Sequence, residues 1–487
     1  MGVNTSPGIN LIPSAERVAL PTNYITNFDF LNQYLPDTYE KEFERYGNRS
    51  ISSFLRMVGA EMPSNSDMIK WAEQGRLHIK YTQCTSAAAA ATDQLAVWTV
   101  ADNLTPAIPG GTTTATAGGN IAIRIGQTVM ISDNTPGSSL SNKAVVTAVT
   151  GVDTFTVSYY EAGGQAMAAG VNCTVFIYGS EFKKGTSGME KSLESDDFIF
   201  ENKPIIIKDK YEVSGSDMAQ IGWIEITSED GANGYLWYLK SEHDTRLRFE
   251  DYLETAMVEA VPAEVGSGAA VDLGVPNATV GSAQGAGSDG VFYSVGNRGN
   301  VYGGGNPVAL ADFDAVIQRL DKQGSIEENA LFVNRQFSFD MDDMLAAQNS
   351  YGAGGTSYGL FDNDQEMALN LGFTGFRRGY DFYKTDWKYL NDATMRGDLV
   401  GGAINGLLVP AGSTTVYDQV LGKNAKRPFL HVRYRASETE DRRYKTWLTG
   451  SAGGARTSSL DAMEVNFLSE RCVCTLGANN FFLFQNA

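Results

Sequence analysis

The chain has 487 residues with 57 acidic against 38 basic side chains, a net charge of −19, which argues against a nucleic-acid reader, since that needs a basic face, but not against a container for DNA. A hydrophobic content of 43% excludes a disordered chain, and the length suits about two or three domains. Four cysteines (Cys84, Cys173, Cys472 and Cys474) are too few for a disulfide framework, and neither a secretory leader nor a run of 18 apolar residues is present.

Residues 1–35 hold few charges, scattered aromatics and Pro7, Pro13 and Pro21, the composition of an extended arm. Asp37–Tyr46 reads as a short helix ended by Gly47-Asn48, and Ser50–Val58 as a second. Leu77–Tyr81 reads as a strand, and a polar, alanine-rich passage follows. From Ile121 the text turns to short β runs: Ile121–Ile125, Thr128–Asp133, Lys143–Thr150 and Thr154–Tyr160. Their spacing of roughly ten residues, with turn residues between, predicts a small barrel or sandwich. Phe198–Phe200 and Pro204–Gly215 flank a polar turn at Glu201–Lys203 and predict an extended two-stranded arm.

A long segment free of proline and glycine runs from Tyr235 to Ala260, with Pro262 as its stop. Leu236, Leu239, His243, Leu247, Leu253, Ala256, Met257 and Ala260 recur at roughly the helical period, which predicts a spine of about 40 Å over 233–260. Glu242 with Arg246, and Asp244 with Arg248, are spaced for helical ion pairs. Pro262–Gly305 is glycine-rich and reads as loop. Beyond it come a helix at Asp312–Gln323, a buried strand at Ala330–Val333, a helix at Asp340–Gln348 and aromatic hairpins within Leu371–Tyr389. Strands at Gly406–Pro410, Phe429–Tyr434, Val473–Leu476 and Phe481–Phe484 complete the reading.

Groups for catalysis do not converge. His78, His243 and His431 form no two-histidine metal motif, and no nucleophile elbow, P-loop or dinucleotide fingerprint is present. Asp340, Asp342 and Asp343 read as charge at a helix start, and Asp362-Asn363-Asp364 as a polar turn without the EF-hand spacing. Cys472 and Cys474 read as small buried hydrophobes on one side of a strand. No catalytic residue, cofactor or metal site is expected. Two features suit contacts between chains: Lys183-Lys184 beside the arm, and the charged helix face of Arg246, Arg248, Glu250 and Asp251. For the first the alternative is a solvated linker, and for the second, pairing within the chain.

Tyr211-Glu212-Val213-Ser214-Gly215-Ser216, followed by the long charged helix, resembles major capsid proteins of tailed bacteriophages with the Hong Kong 97-like fold, most like those of crAss-like phages. The resemblance implies an α+β subunit with an N-terminal arm and short helices (1–83), an inserted small β-domain (84–182) and an extended loop, the E-loop (183–228). A peripheral domain with the spine helix (229–305), an axial domain (306–470) and a C-terminal strand (471–487) follow. It further implies self-assembly as hexamers and pentamers into an icosahedral head around double-stranded DNA, with portal and decoration proteins as partners. The location would be the virion, assembled in the host cytoplasm, with no membrane. A phage tail or adhesin-like structural protein is the alternative, and an unrecognised hydrolase a third.

Overall fold

The computed structural model describes residues 61–75, 78–86, 95–101, 121–161, 170–189, 197–220, 225–227, 233–263, 287–323, 326–349, 375–418, 423–452 and 456–486. The arm and short helices expected before residue 59, and the turn at Asp362–Asp364, lie outside these. The chain forms two compact units, one of residues 72–200 and one of residues 1–71 with 201–487.

Strand β1 (Glu61–Ser64) belongs to the larger unit, and β2 (Ile69–Gln74) leads into the smaller. There β3 (Lys80–Ser86), β4 (Leu95–Val100), β5 (Gln127–Asp133), β6 (Ser141–Val149), β7 (Thr154–Tyr159) and β8 (Cys173–Ser180) close a barrel in the order β3-β4-β7-β6-β5-β8. Alternate residues point inward, as the strand period of two requires. Trp98, Val129, Ile131, Ala144, Val146, Phe155, Val157 and Val175 fill the interior. The expected strand Ile121–Ile125 is not one. It packs into the barrel core, burying Ile121 and Ile123, and two of its amides find side-chain acceptors: Ala122 N–H donates to Tyr81 Oη at 2.7 Å and Arg124 N–H to Gln127 Oε1 at 2.8 Å.

Strand β9 (Asp197–Asn202) returns from the smaller unit and β10 (Ile205–Ser214) enters the larger. The two-stranded arm expected between them does not form. β9 pairs with β2, and Lys70 and Glu201 form an ion pair at 3.0 Å on that ribbon, whereas β10 runs antiparallel along a strand near the end of the chain. Asn202 supplies the reason. Its buried amide donates to the Val473 and Asp289 carbonyls, and its Oδ1 accepts from Ser288 Oγ, Asp289 N–H and Lys203 N–H within 2.7–2.9 Å. The chain is thus pinned to the sheet before Pro204 and cannot fold back on itself. Asn202→Ala strands several buried polar groups, each costing about 1–3 kcal/mol, and should lower the denaturant midpoint by the equivalent of about 2–4 kcal/mol. A loss under 1 kcal/mol would contradict this.

After β10 come a short helix, Gly215–Gln220, and the small ribbon β11 (Glu225–Thr227) with β12 (Asn233–Tyr235). The long helix spans Leu236–Glu259, about 36 Å at 1.5 Å per residue. Its buried face carries Thr245, Phe249, Leu253, Glu254, Met257 and Val258; His243 is exposed and Leu247 half-buried. Beyond it the stretch expected to be loop holds a helix, Val291–Arg298, and β13 (Asn300–Tyr302). Gly290 is needed at that helix's start, because a Cβ there would stand 2.7 Å from the Ala260 backbone at the end of the long helix.

The rest of the larger unit holds two main sheets. Helix Leu310–Gln323 precedes β14 (Glu328–Val333), and helix Arg335–Asn349 follows it. Asp340, Asp342 and Asp343 therefore lie in the middle of that helix and not at its start. Asp342 forms a buried ion pair with Lys384, and Asp340 accepts from Asn306 and Gln336. A hairpin of β15 (Gly375–Arg378) and β16 (Tyr380–Asp386), a turn of helix at Lys388–Asn391 and β17 (Ile404–Pro410) come next. The ribbon β18 (Ser413–Asp418) with β19 (Lys423–Pro428) leads to β20 (Leu430–Arg435), β21 (Lys445–Gly450), β22 (Ala462–Thr475) and β23 (Phe482–Gln485).

One sheet runs β13-β23-β17-β14-β16-β15 and is covered on both faces. Phe332, Leu407, Val409 and Leu483 face the core of Trp387, Phe292 and Val295, while Leu331, Val333, Leu408, Phe482 and Phe484 face Phe313, Val316, Phe337 and Met341. The other sheet runs β1-β20-β22-β10 with β21 also on β22. The segment 306–470 is thus divided between two sheets, and the last two strands fall one in each. β22 is the axis of the second sheet. β10 pairs along it for ten residues on one edge, while β20 and β21 share the other. The long helix crosses this sheet, with Phe249 and Leu253 on Met463, Val465 and Phe467.

Candidate functional site

The outer face of the long helix carries the charges singled out from sequence. Arg246 and Glu250 are exposed and Asp251 is half-buried. Arg246 reaches back one turn to His243 Nδ1 at 3.3 Å. Arg248 does not turn to Asp244. Its Nε and an NH2 group both donate to Asp209 Oδ2 on β10 at 3.1 Å, which ties the helix to its own sheet. Lys183 and Lys184 belong to the smaller unit, in an exposed turn where the Lys183 carbonyl accepts from Thr186. The structure therefore gathers Arg246, Arg248, Glu250 and Asp251 on one helix and leaves the two lysines on the other unit.

At the end of the helix Glu259 accepts from Tyr389 Oη at 2.6 Å and pairs in bidentate fashion with Arg396, whose guanidinium also lies 5.1 Å from the Phe292 ring centre. This clamps the segment after Asn391 to the helix. The loop beyond Arg396 ends in Leu399 and Val400, 47% and 95% exposed.

Charge is also buried beneath the helix. Arg471 on β22 is 6% exposed. It lies 3.4 Å from Glu61 Oε1, and donates to Ser469 Oγ and the Arg443 carbonyl at 2.9 Å. Glu470 beside it meets Arg442 at 2.9 Å and Arg435 at 3.3 Å. Glu254 hangs from the helix above, 8% exposed, with Oε2 unpartnered among the described residues. Burial pushes its pKa up to about 8, Asp251 and Glu250 act in the same direction, and Arg471 opposes them. Arg471, Glu470 and Glu254 are thus all buried. Among the described residues no cluster of three or more His, Cys, Asp or Glu side chains is placed to hold a metal ion. No described helix is long and apolar enough to cross a membrane.

The apolar surface that sequence reasoning passed over lies on β9. Phe198 and Ile199 are 57% and 70% exposed, although they are neighbours on a strand and point to opposite faces. The signal was the run Phe-Ile-Phe itself. A strand with apolar residues on both faces calls for a layer on each side, and a two-stranded ribbon has none of its own.

No protein-family model matches the chain, and no curated protein matches it. Solved structures similar to it include phage chains and a chain of a GTA particle. One is described as the capsid structure of the cyanophage P-SCSP1u (8% identity, 98% of this chain and 99% of that one, TM-score 0.38). Another is described as the capsid of a native GTA particle (9% identity, 93% and 96%, TM-score 0.37). A third is a chain of Microbacterium phage Oxtober96 (10% identity, 95% and 99%, TM-score 0.36).

Proposed function

We propose that this chain is a major capsid protein of a tailed bacteriophage with the Hong Kong 97-like fold. It self-assembles as hexamers and pentamers into an icosahedral head that encloses double-stranded DNA without reading its sequence. The observation that carries this reading is the ribbon of β2 and β9, with Phe198 and Ile199 bare on opposite faces. Apolar side chains on both sides of a thin ribbon stabilise nothing in an isolated subunit and are suited to lying between neighbours. The long helix crossing a sheet built on β22 fits a wall element that must resist bending. The resemblance of 211–257 to capsid subunits points the same way. Lys183, Lys184, Arg246, Glu250 and Asp251 are assigned to contacts between subunits, and Arg248 serves the same face while holding Asp209. Portal and decoration proteins would be the further partners, the virion the location, and the host cytoplasm the place of assembly.

The test is assembly itself. Sedimentation and negative-stain imaging of the purified chain should show closed shells or rings of five and six. Ile199→Asp should leave a folded subunit, judged by its near-UV spectrum, that forms neither. Rods or trimers would favour a tail protein, and unchanged assembly of the Ile199→Asp variant would remove the ribbon from the mechanism.

A further inference from the structure

The barrel carries a cleft on its outer wall. Where β5, β6 and β8 run side by side, an open cleft of about 570 Å³ is lined by Thr128, Lys143, Tyr160, Tyr178, Glu161 and Glu181. That volume is in the range of small-ligand sites. Tyr160 and Tyr178 are 48% and 47% exposed, so much of each ring meets solvent. Tyr160 donates its hydroxyl to Glu181 Oε2, which fixes both groups at the rim. Thr128 is only 5% exposed, and its hydroxyl has no hydrogen-bond partner among the described residues. It lies beside Gly179, where even a Cβ would come within 3.1 Å of it.

The mixture of groups selects the ligand. An anion would meet Glu161 and Glu181, and a simple cation would meet Lys143. A neutral polyhydroxylated ring fits all of them. Its C–H faces pack on tyrosine rings, and each hydroxyl both donates and accepts, matching the carboxylate acceptors and the Lys143 donor. We propose that this cleft binds a neutral saccharide, a short run of pyranose rings from a polysaccharide, and so gives the barrel an attachment role distinct from building a shell.

The test uses the full chain on an array of neutral, N-acetylated and acidic saccharides, followed by titration of the best neutral binder. At least one neutral saccharide should be retained. Tyr178→Ala should weaken it tenfold or more and Glu181→Gln several-fold. Val97→Ser, an exposed change on the opposite wall of the barrel, should leave it unaltered. Tyr160→Phe keeps the ring but frees Glu181, and should alter affinity with no loss of fold. Retention of no neutral saccharide above the Tyr178→Ala background would overturn the proposal. So would retention of acidic saccharides alone that vanishes with added salt.

Discussion

Phe249→Ala should destabilise the larger unit by about 3–5 kcal/mol, the range for removing a buried aromatic ring from a core that cannot collapse around the gap. The side chain is fully buried. It meets Tyr444 edge-on at 5.4 Å and Phe467 at 5.7 Å, and with Leu253 it is the apolar attachment of the helix to Met463 and Val465. The loss should appear in chemical denaturation as a lower midpoint with the slope unchanged. Hydrogen exchange should place it, with amides over 245–259 losing protection while those of the barrel, which has a separate core, keep theirs. A cost below 1 kcal/mol would mean that the helix is held by its polar ties to Asp209 and Arg396 instead.

The second large effect concerns pH. The Glu254 carboxyl has an ordinary value of 4.5 and a folded value of about 8, raised first by burial. The folded state therefore holds this proton more tightly than the unfolded one. Its contribution to stability is complete below about pH 4.5 and is lost as pH rises through about 8. Glu254→Gln mimics the protonated form at every pH. It should flatten the decline in stability between pH 5 and 9, and at pH 9 exceed the wild type by on the order of 2 kcal/mol. Parallel stability curves for the two proteins would show that Glu254 is charged and satisfied in the fold.

The same two residues show what the sequence could and could not reveal. The helix was legible from its freedom from proline and glycine, but not the face it buries. Phe249 stands between Arg248 and Glu250, and the buried stripe includes the polar Thr245 and Glu254, so the apolar count drifted to His243 and Leu247. Local β runs such as Gln127–Asp133 and Thr154–Tyr159 were readable from alternation, because each half-buried strand writes a period of two. Pairing was not. Nothing local says that Ile205–Ser214 will lie along Ala462–Thr475, or that Asn202 will turn the chain away from a hairpin. Ile121–Ile125 alternates like a strand because it too presents one side to a core, but no described strand pairs with it. The candidate contact residues on the helix are all charged, and the structure ties one of them, Arg248, to Asp209 of its own chain. The bare apolar pair on β9 depended on knowing that the ribbon has only two strands.

The position of β23 bears on synthesis. Phe482–Gln485 lies inside the six-stranded sheet between β13 and β17, and supplies Phe482, Leu483 and Phe484 to the cores on its two faces. A ribosome must therefore pass residue 485 before that sheet can close, whereas the barrel has all its strands once Ser180 has emerged. Order of emergence separates a module that folds early from a body that stays open until late. A truncated product should then carry a finished barrel on an unfinished body, exposing the apolar surfaces that proteases and chaperones recognise.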